Sequence, residues 1–181
     1  MKRVVVVGNS GSGKTTLALQ LAELLQCEHI ELDAIRHLSG WVEIDRDSFR
    51  KIVSEKTTQE SWVLCGNASA VSDISWPRAD SIVVFDLPRR VVMMRLIKRT
   101  IRRTVFRQTL WNGNRESFRK ILKFRDPHTS IIAWAWTQHY VYKEKFLKLS
   151  QSDGLKDKHF YFVRNKKDVD KILTIAGGRV P

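Results

Sequence analysis

The chain has 181 residues, of which 43% are hydrophobic, and a formal net charge of +13. This length suits one folded domain with a real core, and the hydrophobic share argues against a disordered chain or a coiled coil. The two cysteines, Cys27 and Cys65, form no disulfide framework, and no apolar run has the length of a signal peptide or a membrane span. We therefore expect one cytoplasmic domain, residues 1–181, with no membrane partner.

The first predicted strand, Arg3–Val7, runs directly into a glycine-rich loop and a helix. The loop reads Gly8-Asn9-Ser10-Gly11-Ser12-Gly13-Lys14-Thr15, the complete G-x-x-x-x-G-K-[ST] pattern of a P-loop. Its glycines allow successive N–H groups to turn toward a phosphate, and Thr16 continues into a helix whose N-terminus favours an anion. We expect all of these residues to bind ATP, with Lys14 on the β- and γ-phosphates and the Thr15 hydroxyl on Mg²⁺. The alternative is a plain glycine-rich turn, which the flanking strand and helix disfavour.

Short apolar strands then alternate with helical patterns, which is typical of a parallel α/β sheet. The further predicted strands are His29–Leu32, Trp62–Cys65, Ser81–Phe85 and Phe160–Val163. Helices are predicted after the glycine-rich loop, after an N-cap at Asp45 or Asp47, from Pro88, and over about 130–149 and 167–176. We expect a three-layer P-loop NTPase domain with a five-stranded parallel sheet ordered 2-3-1-4-5, as in nucleotide kinases.

The helix that begins near Pro88 opens the most basic part of the chain. Between Arg89 and Arg125 there are thirteen Lys or Arg residues and one acid, Glu116. At 100° per residue, the helix has a cationic side and an apolar side. The cationic side carries Arg95, Lys98, Arg99 and Arg102. The apolar side carries Met93, Met94, Ile97 and Ile101. We expect the apolar side to pack on the sheet, so that the cations form an ordered row.

Three interpretations of this basic stretch are open: a clamp on the phosphates of a small ligand, a surface that binds DNA, and a solvated face. The expected triphosphate site favours the first. Residues 104–126 are basic and aromatic, with a turn predicted at Asn112-Gly113-Asn114, and are the candidate for a basic helical lid over the phosphates. Arg103, Arg115 and Arg119 are candidates to close on a transferred phosphoryl group.

The end of the fourth predicted strand and the helix that follows it resemble part of a known enzyme family. Phe85-Asp86-Leu87-Pro88, followed by Arg95 and Arg99, resembles the segment that leads into the lid of adenylate kinases. The resemblance implies that Arg95 packs on the adenine and that Arg99 contacts phosphates. It also implies that Asn165 and Lys166, after the last strand, border the adenine.

A closer resemblance extends from the P-loop to about Arg119. Its segments are Glu31-Leu32-Asp33-Ala34, Gly40-Trp41, Gly66-Asn67, Trp76-Pro77-Arg78-Ala79-Asp80 and Leu110-Trp111-Asn112-Gly113-Asn114-Arg115-Glu116. They are similar to the adenylate-kinase-like "DNA topology modulation" (FlaR-type) proteins, whose name implies an effect on DNA supercoiling. The chain departs from that pattern in the segment 36–41 and at Cys65, where the family has an acidic residue. We therefore expect the carboxylate that orders Mg²⁺ at the end of the third strand to be missing.

Polar residues that follow the strands are the candidates for the acceptor side of the site. Asp33 lies just past the second strand, at the sheet edge where ligands bind, and could hold an acceptor hydroxyl, act as a base or help to order Mg²⁺; the alternative is a helix cap. Asn67 is either near the acceptor or a turn residue. Asp86 is more easily explained as a helix cap than as a metal ligand.

Other residue types give weaker indications. Trp41, Trp62 and Trp76 either line the acceptor pocket or pack in the core. Cys65 is not expected to be a nucleophile, because no activating partner can be identified. The histidines His128, His139 and His159 lack metal-ligand spacing, so zinc is not expected.

Together these features favour an ATP- and Mg²⁺-dependent phosphotransferase, similar to adenylate kinase, with a small-molecule or nucleotide acceptor that the sequence does not identify. The expected catalytic residues are Lys14, Asp33 and Arg99. The expected acceptor-binding residues are Asp33, Trp41, Gly66, Asn67 and Arg115. The alternative is an ATP-binding regulator or weak ATPase that affects DNA topology through its basic surface.

Overall fold

Five parallel strands form one sheet in the computed structural model, which describes residues 1–67, 69–116 and 130–178. The strands are β1 (Arg3–Gly8), β2 (Glu28–Glu31), β3 (Trp62–Cys65), β4 (Ser81–Phe85) and β5 (His159–Val163). Their order is β2-β3-β1-β4-β5, which confirms the predicted topology. The observed strand ends differ from the predicted ones by one residue at most.

Helices cover both faces of this sheet. They are α1 (Lys14–Leu24), α2 (Leu32–Arg36), α3 (Arg46–Lys56), α4 (Ser72–Arg78), α5 (Arg89–Val105), α6 (Ile131–Ser150) and α7 (Lys166–Ala176). Asp45, and not Asp47, caps α3 by accepting a 2.8 Å hydrogen bond from the Ser48 N–H. None of the described helices combines the length and apolarity that a bilayer crossing requires.

The four valines of β1 supply two cores, because successive side chains of a strand point to opposite faces. Val5 and Val7 pack with residues of α3, α4 and α6, which include Phe49, Trp76 and Phe146. Val4 and Val6 pack with residues of α1 and α7, which include Leu17, Leu21 and Ile172. Trp62 and Trp76 are both core residues, as the packing alternative for them predicted.

The prediction for the buried face of α5 is wrong. Met94, Ile97 and Ile101, expected on the sheet, are 66%, 40% and 50% exposed. The buried residues are Val92, Met93, Leu96 and Thr100. Apolar side chains occupy most of the circumference of this helix, so their period alone did not identify the stripe that packs.

Because the buried face of α5 differs from the predicted face, the cations that face the P-loop also differ from the predicted ones. Arg95, Arg99 and Arg103 follow one another at intervals of four residues, and Arg95 and Arg99 both donate hydrogen bonds to the P-loop. Lys98 and Arg102, expected in the same row, are exposed to solvent. The ordered row of cations therefore consists of Arg95, Arg99 and Arg103.

The expectation that Asp86 caps α5 is also wrong. Pro88 is the N-cap residue of α5, and no side chain among the described residues caps the helix. Asp86 instead pairs with Lys143 of α6 at 3.0 Å and lies 3.8 Å from the Arg164 guanidinium. The two cations stabilise the Asp86 carboxylate in place of the helix N-terminus, and the pairs connect the end of β4 to α6 and β5.

Candidate functional site

The P-loop, residues 8–15, connects β1 to the first turn of α1. Gly8 and Gly11 have φ angles of 145° and 83°, in the region that favours glycine. A Cβ atom at Gly8 would lie 2.6 Å from the Cβ of Phe85, and one at Gly11 would lie 2.8 Å from the Cβ of Leu96. These two glycines therefore allow the loop to approach β4 and α5 closely.

Two asparagines hold the P-loop in position. Asn67, just after β3, accepts a 3.0 Å hydrogen bond from the Gly8 N–H and donates one of 2.7 Å to the Gly8 carbonyl. Asn9 is buried and donates a 2.7 Å hydrogen bond to the carbonyl of Ala135 on α6. Hydrogen bonds to the residue after β3 and to α6 thus hold the loop in place, and the Asn67 side chain contacts the loop directly.

A cleft of about 520 Å³ lies beside the P-loop. All the residues expected on the acceptor side line it, namely Asp33, Trp41, Gly66, Asn67 and Arg115, together with Ser10, Lys14, Thr15, Arg99 and Arg103. Thr16 is exposed in the first turn of α1 and does not line the cleft. Arg119 and residues 117–126 of the expected lid lie outside the described residues.

The cations of the site are held against the loop. The Lys14 ammonium donates a 2.9 Å hydrogen bond to the carbonyl of Asn9, and burial lowers the pKa of Lys14. Arg95 donates to the Ser12 carbonyl at 3.2 Å, and Arg99 donates to the Ser10 hydroxyl at 3.0 Å. Burial, followed by the charge of Arg103, lowers the pKa of Arg99. Desolvated cations such as Lys14 and Arg99 gain most from an anionic ligand such as a phosphate.

The site also contains a carboxylate that sequence reasoning missed. Glu31 is the last residue of β2 and lines the cleft, with a side chain that is 10% exposed. Burial and the charge of Asp33 raise the pKa of Glu31 to about 7, although a hydrogen bond with Thr15 and the charge of Lys14 oppose this shift. Its Oε2 atom has no hydrogen-bond partner among the described residues.

The residues around Thr15 fit a magnesium ion. Mg²⁺ prefers oxygen ligands, and the Thr15 hydroxyl and the unpartnered Glu31 oxygen provide two of them. The Cys65 thiol lies 3.7 Å from the Thr15 hydroxyl, but burial and the charge of Glu31 raise the pKa of Cys65 to about 12. A protonated thiol is a poor ligand for this ion. Glu31 on the neighbouring strand β2 thus provides a carboxyl group beside Thr15, where β3 ends in a cysteine.

The described part of the lid region binds to the loop after α2. Asn112 and Gly113 have φ angles of 54° and 77°, which confirms the predicted turn. Asn112 donates to the carbonyl of residue 37 at 2.6 Å, and Asn114 accepts from the Trp41 N–H at 2.8 Å. The Trp41 indole N–H donates to the carbonyl of residue 115 at 3.0 Å. These bonds place Trp41 and Arg115 at the rim of the cleft.

Comparisons with known proteins agree with this geometry. Residues 4–71 match the family described as "ATPase family associated with various cellular activities (AAA)". The fold is that of a P-loop NTPase. No curated protein sequence matches the chain.

The chain also resembles solved structures of kinases along nearly its full length. A gluconokinase from Sinorhizobium meliloti 1021 aligns with 98% of this chain and 90% of its own, at 16% identity and a TM-score of 0.54. A shikimate kinase from Acinetobacter baumannii in complex with shikimate aligns with 97% and 92%, at 19% identity and a TM-score of 0.51. A shikimate kinase from Bacteroides thetaiotaomicron aligns with 96% and 95%, at 15% identity and a TM-score of 0.50. At these identities the likeness concerns the fold.

Proposed function

We propose that the chain is an ATP- and Mg²⁺-dependent phosphotransferase with a small hydroxylated acceptor or a nucleotide as its second substrate. The observation that carries the proposal is the composition of one cleft. The P-loop residues Lys14 and Thr15, the carboxylates Glu31 and Asp33, and Arg99 all line it. A phosphate donor and an acceptor can therefore meet there.

The donor side of the cleft follows from the contacts of the P-loop. Its N–H groups and Lys14 bind the β- and γ-phosphates of ATP, and Arg95 and Arg99, already in contact with the loop, bind the nucleotide from α5. Thr15 and Glu31 would hold Mg²⁺, which supplies neutralisation of the negative charge that develops on the phosphates.

The acceptor side is the part of the cleft near Asp33. This residue is exposed in the first turn of α2, at the carboxyl end of β2, where open parallel sheets bind their ligands. Asp33 binds the acceptor hydroxyl and takes its proton as the acceptor oxygen attacks the γ-phosphorus and the bond to the β-phosphate oxygen breaks. Arg99, Arg103 and Arg115 stabilise the charge of the transferred group.

The same proposal includes the family of the chain, its lid and its location in the cell. The motifs around Trp41, Gly66 and residues 110–116 support membership of the "topology modulation" family, and residues 104–126 form the lid. We further propose that the chain acts in the cytoplasm as one domain. The inward direction of Arg95 and Arg99 supports the phosphate-clamp interpretation of the basic stretch over a DNA surface.

An acceptor screen tests the proposal. Nucleoside monophosphates and small hydroxy acids, the class of molecule that the names gluconokinase and shikimate kinase indicate for those two proteins, are incubated with ATP and Mg²⁺. We expect at least one acceptor to accelerate ADP release, and Lys14→Ala to lower that rate by about tenfold or more while Lys98→Ala leaves it unchanged. ADP release that no acceptor accelerates would favour the weak ATPase, and full activity in a folded Lys14→Ala variant would overturn the site.

A further inference from the structure

Three side chains of different chemistry meet beneath the P-loop: a histidine, a carboxylate and a thiol. His29 and Glu31 are two residues apart on β2, and Cys65 is the register partner of Glu31 on β3, so all three share one face of the sheet. Their ligand atoms all lie within 4.8 Å of one another. Neither His29 nor Cys65 has a role in the proposed phosphoryl transfer.

Two buried atoms of this cluster have no hydrogen-bond partner among the described residues. Cys65 is 0% exposed, and the side chains of Glu31 and His29 are 10% and 16% exposed. His29 Nε2 and Glu31 Oε2 are 3.9 Å apart, and neither has a hydrogen-bond partner among the described residues. A buried polar atom without a partner destabilises the folded state. Two such atoms that face each other beside a thiol indicate a ligand that would satisfy both.

The spacing fits a tetrahedral metal ion. With metal–ligand distances of about 2.0–2.3 Å, the ligand atoms of tetrahedral zinc lie roughly 3.4–3.8 Å apart. The separation of 3.9 Å between His29 Nε2 and Glu31 Oε2 is close to this range. Burial lowers the pKa of His29, which favours the neutral imidazole that a metal ligand requires.

We propose that His29, Glu31 and Cys65 bind one thiophilic divalent cation, Zn²⁺, from the cleft. Imidazole and thiolate ligands select zinc over magnesium, which takes oxygen ligands. Three protein ligands leave the fourth position open, and this position lies toward the cleft because Glu31 lines it. Binding releases the proton of the Cys65 thiol to solvent as the sulfur–zinc bond forms.

The bound cation would also act on the neighbouring site. Both ions would take the same oxygen of Glu31, Oε2, so Zn²⁺ held with His29 and Cys65 competes with Mg²⁺ held with Thr15. Zinc at this position therefore inhibits ATP turnover. This consequence rests on the proposed function, whereas zinc binding itself does not.

Metal titration of the nucleotide-free chain tests the binding. The full chain, without an affinity tag and freed of metal by chelation, is titrated with Zn²⁺ by calorimetry and with Co²⁺ by absorption spectroscopy. We expect one high-affinity ion per chain and a thiolate-to-cobalt charge-transfer band. Cys65→Ser and His29→Gln should each weaken zinc binding by about tenfold or more, because each removes one of three ligands. Cys27→Ser, which removes the other cysteine, is the matched control and should bind zinc as the wild type does.

Three results would overturn the proposal. They are cobalt binding to the wild type without a thiolate band, equal zinc affinity in Cys65→Ser and Cys27→Ser, and no binding to a folded wild-type chain. The cobalt spectrum needs no variant, so it decides the question even if Cys65→Ser fails to fold. The ratio of ATP turnover with and without zinc tests the consequence: His29→Gln should keep its turnover in zinc, and equal inhibition of this variant and the wild type would contradict the inhibitory role.

Discussion

Glu31 and Cys65 are register partners at the ends of β2 and β3, and the Cys65 sulfur lies 3.7 Å from the Thr15 hydroxyl. The thiol stays protonated in the metal-free protein, because burial raises its pKa to about 12. The carboxylate beside Thr15 therefore comes from β2 and not from β3. Under the proposed function, Glu31 provides the carboxylate for Mg²⁺ that β3, which ends in a cysteine, lacks.

Removal of the Glu31 charge should affect the metal and not the nucleotide. We expect Glu31→Gln to lower Mg²⁺-dependent turnover by about tenfold or more and to leave ATP binding in EDTA within a few-fold, because the carboxylate acts through the ion. Turnover is measured against Mg²⁺ concentration. Glu28→Gln is the control, since Glu28 lies on the same strand but is exposed and paired with Lys56. Wild-type magnesium dependence in Glu31→Gln would show that another group orders the ion.

The same carboxyl group should make stability depend on pH. Its pKa rises from 4.5 to about 7 on folding, so the folded chain holds a proton that the unfolded chain has released. The contribution of Glu31 to the free energy of unfolding therefore falls as pH rises from about 4.5 to about 7, and it is constant above pH 7. The total loss is about 3 kcal/mol.

Glu31→Gln removes this titration and serves as its own comparison. Relative to the wild type, the variant should gain stability between about pH 5 and about pH 8, as urea unfolding in EDTA would show. A difference in unfolding free energy that is the same at both pH values would mean that Glu31 ionises normally.

The two kinds of cation on α5 should contribute differently to nucleotide binding. Both Arg95 and Lys98 are exposed on this helix, and Arg95 donates a hydrogen bond to the P-loop carbonyl of Ser12. We expect Arg95→Ala to weaken ATP binding by several-fold or more and Lys98→Ala to change it little, since an exposed lysine acts only through a screened charge. Calorimetric titration with ATP measures both. Equal losses would mean that α5 provides only a diffuse positive field.

The features that the sequence predicted correctly are local. The β-branched run of β1, the glycine pattern of the P-loop and the start of α5 beside Pro88 each depend on neighbours within a few residues, as does the cap at Asp45, one of the two candidates for that cap. The sheet order was taken from the resemblance to nucleotide kinases and is confirmed by the structure. These signals were enough to place Lys14, Thr15 and Asp33 at one edge of the sheet.

The features that were missed depend on contacts between distant segments. The P-loop approaches α5 closely at Gly11 and Leu96. This contact determines the buried face of α5, and it cannot be deduced from the spacing of apolar residues within the helix. Glu31 was missed because its neighbours Thr15 and Cys65 follow from the β2–β3 register and from α1. The spacing of Glu31 and Asp33, two acids at the end of one strand, was the signal that could have identified it.

Under the proposed function, the P-loop and Asp33 form the two sides of one phosphotransfer site. The most direct test is phosphoryl transfer by Asp33→Asn, measured with the best acceptor of the screen, beside the ATP affinity of the same variant. Asparagine keeps the shape and removes the charge, so we predict that transfer falls by about a hundredfold or more while ATP binding stays within a few-fold. Transfer at the wild-type rate in a folded Asp33→Asn variant would contradict the account.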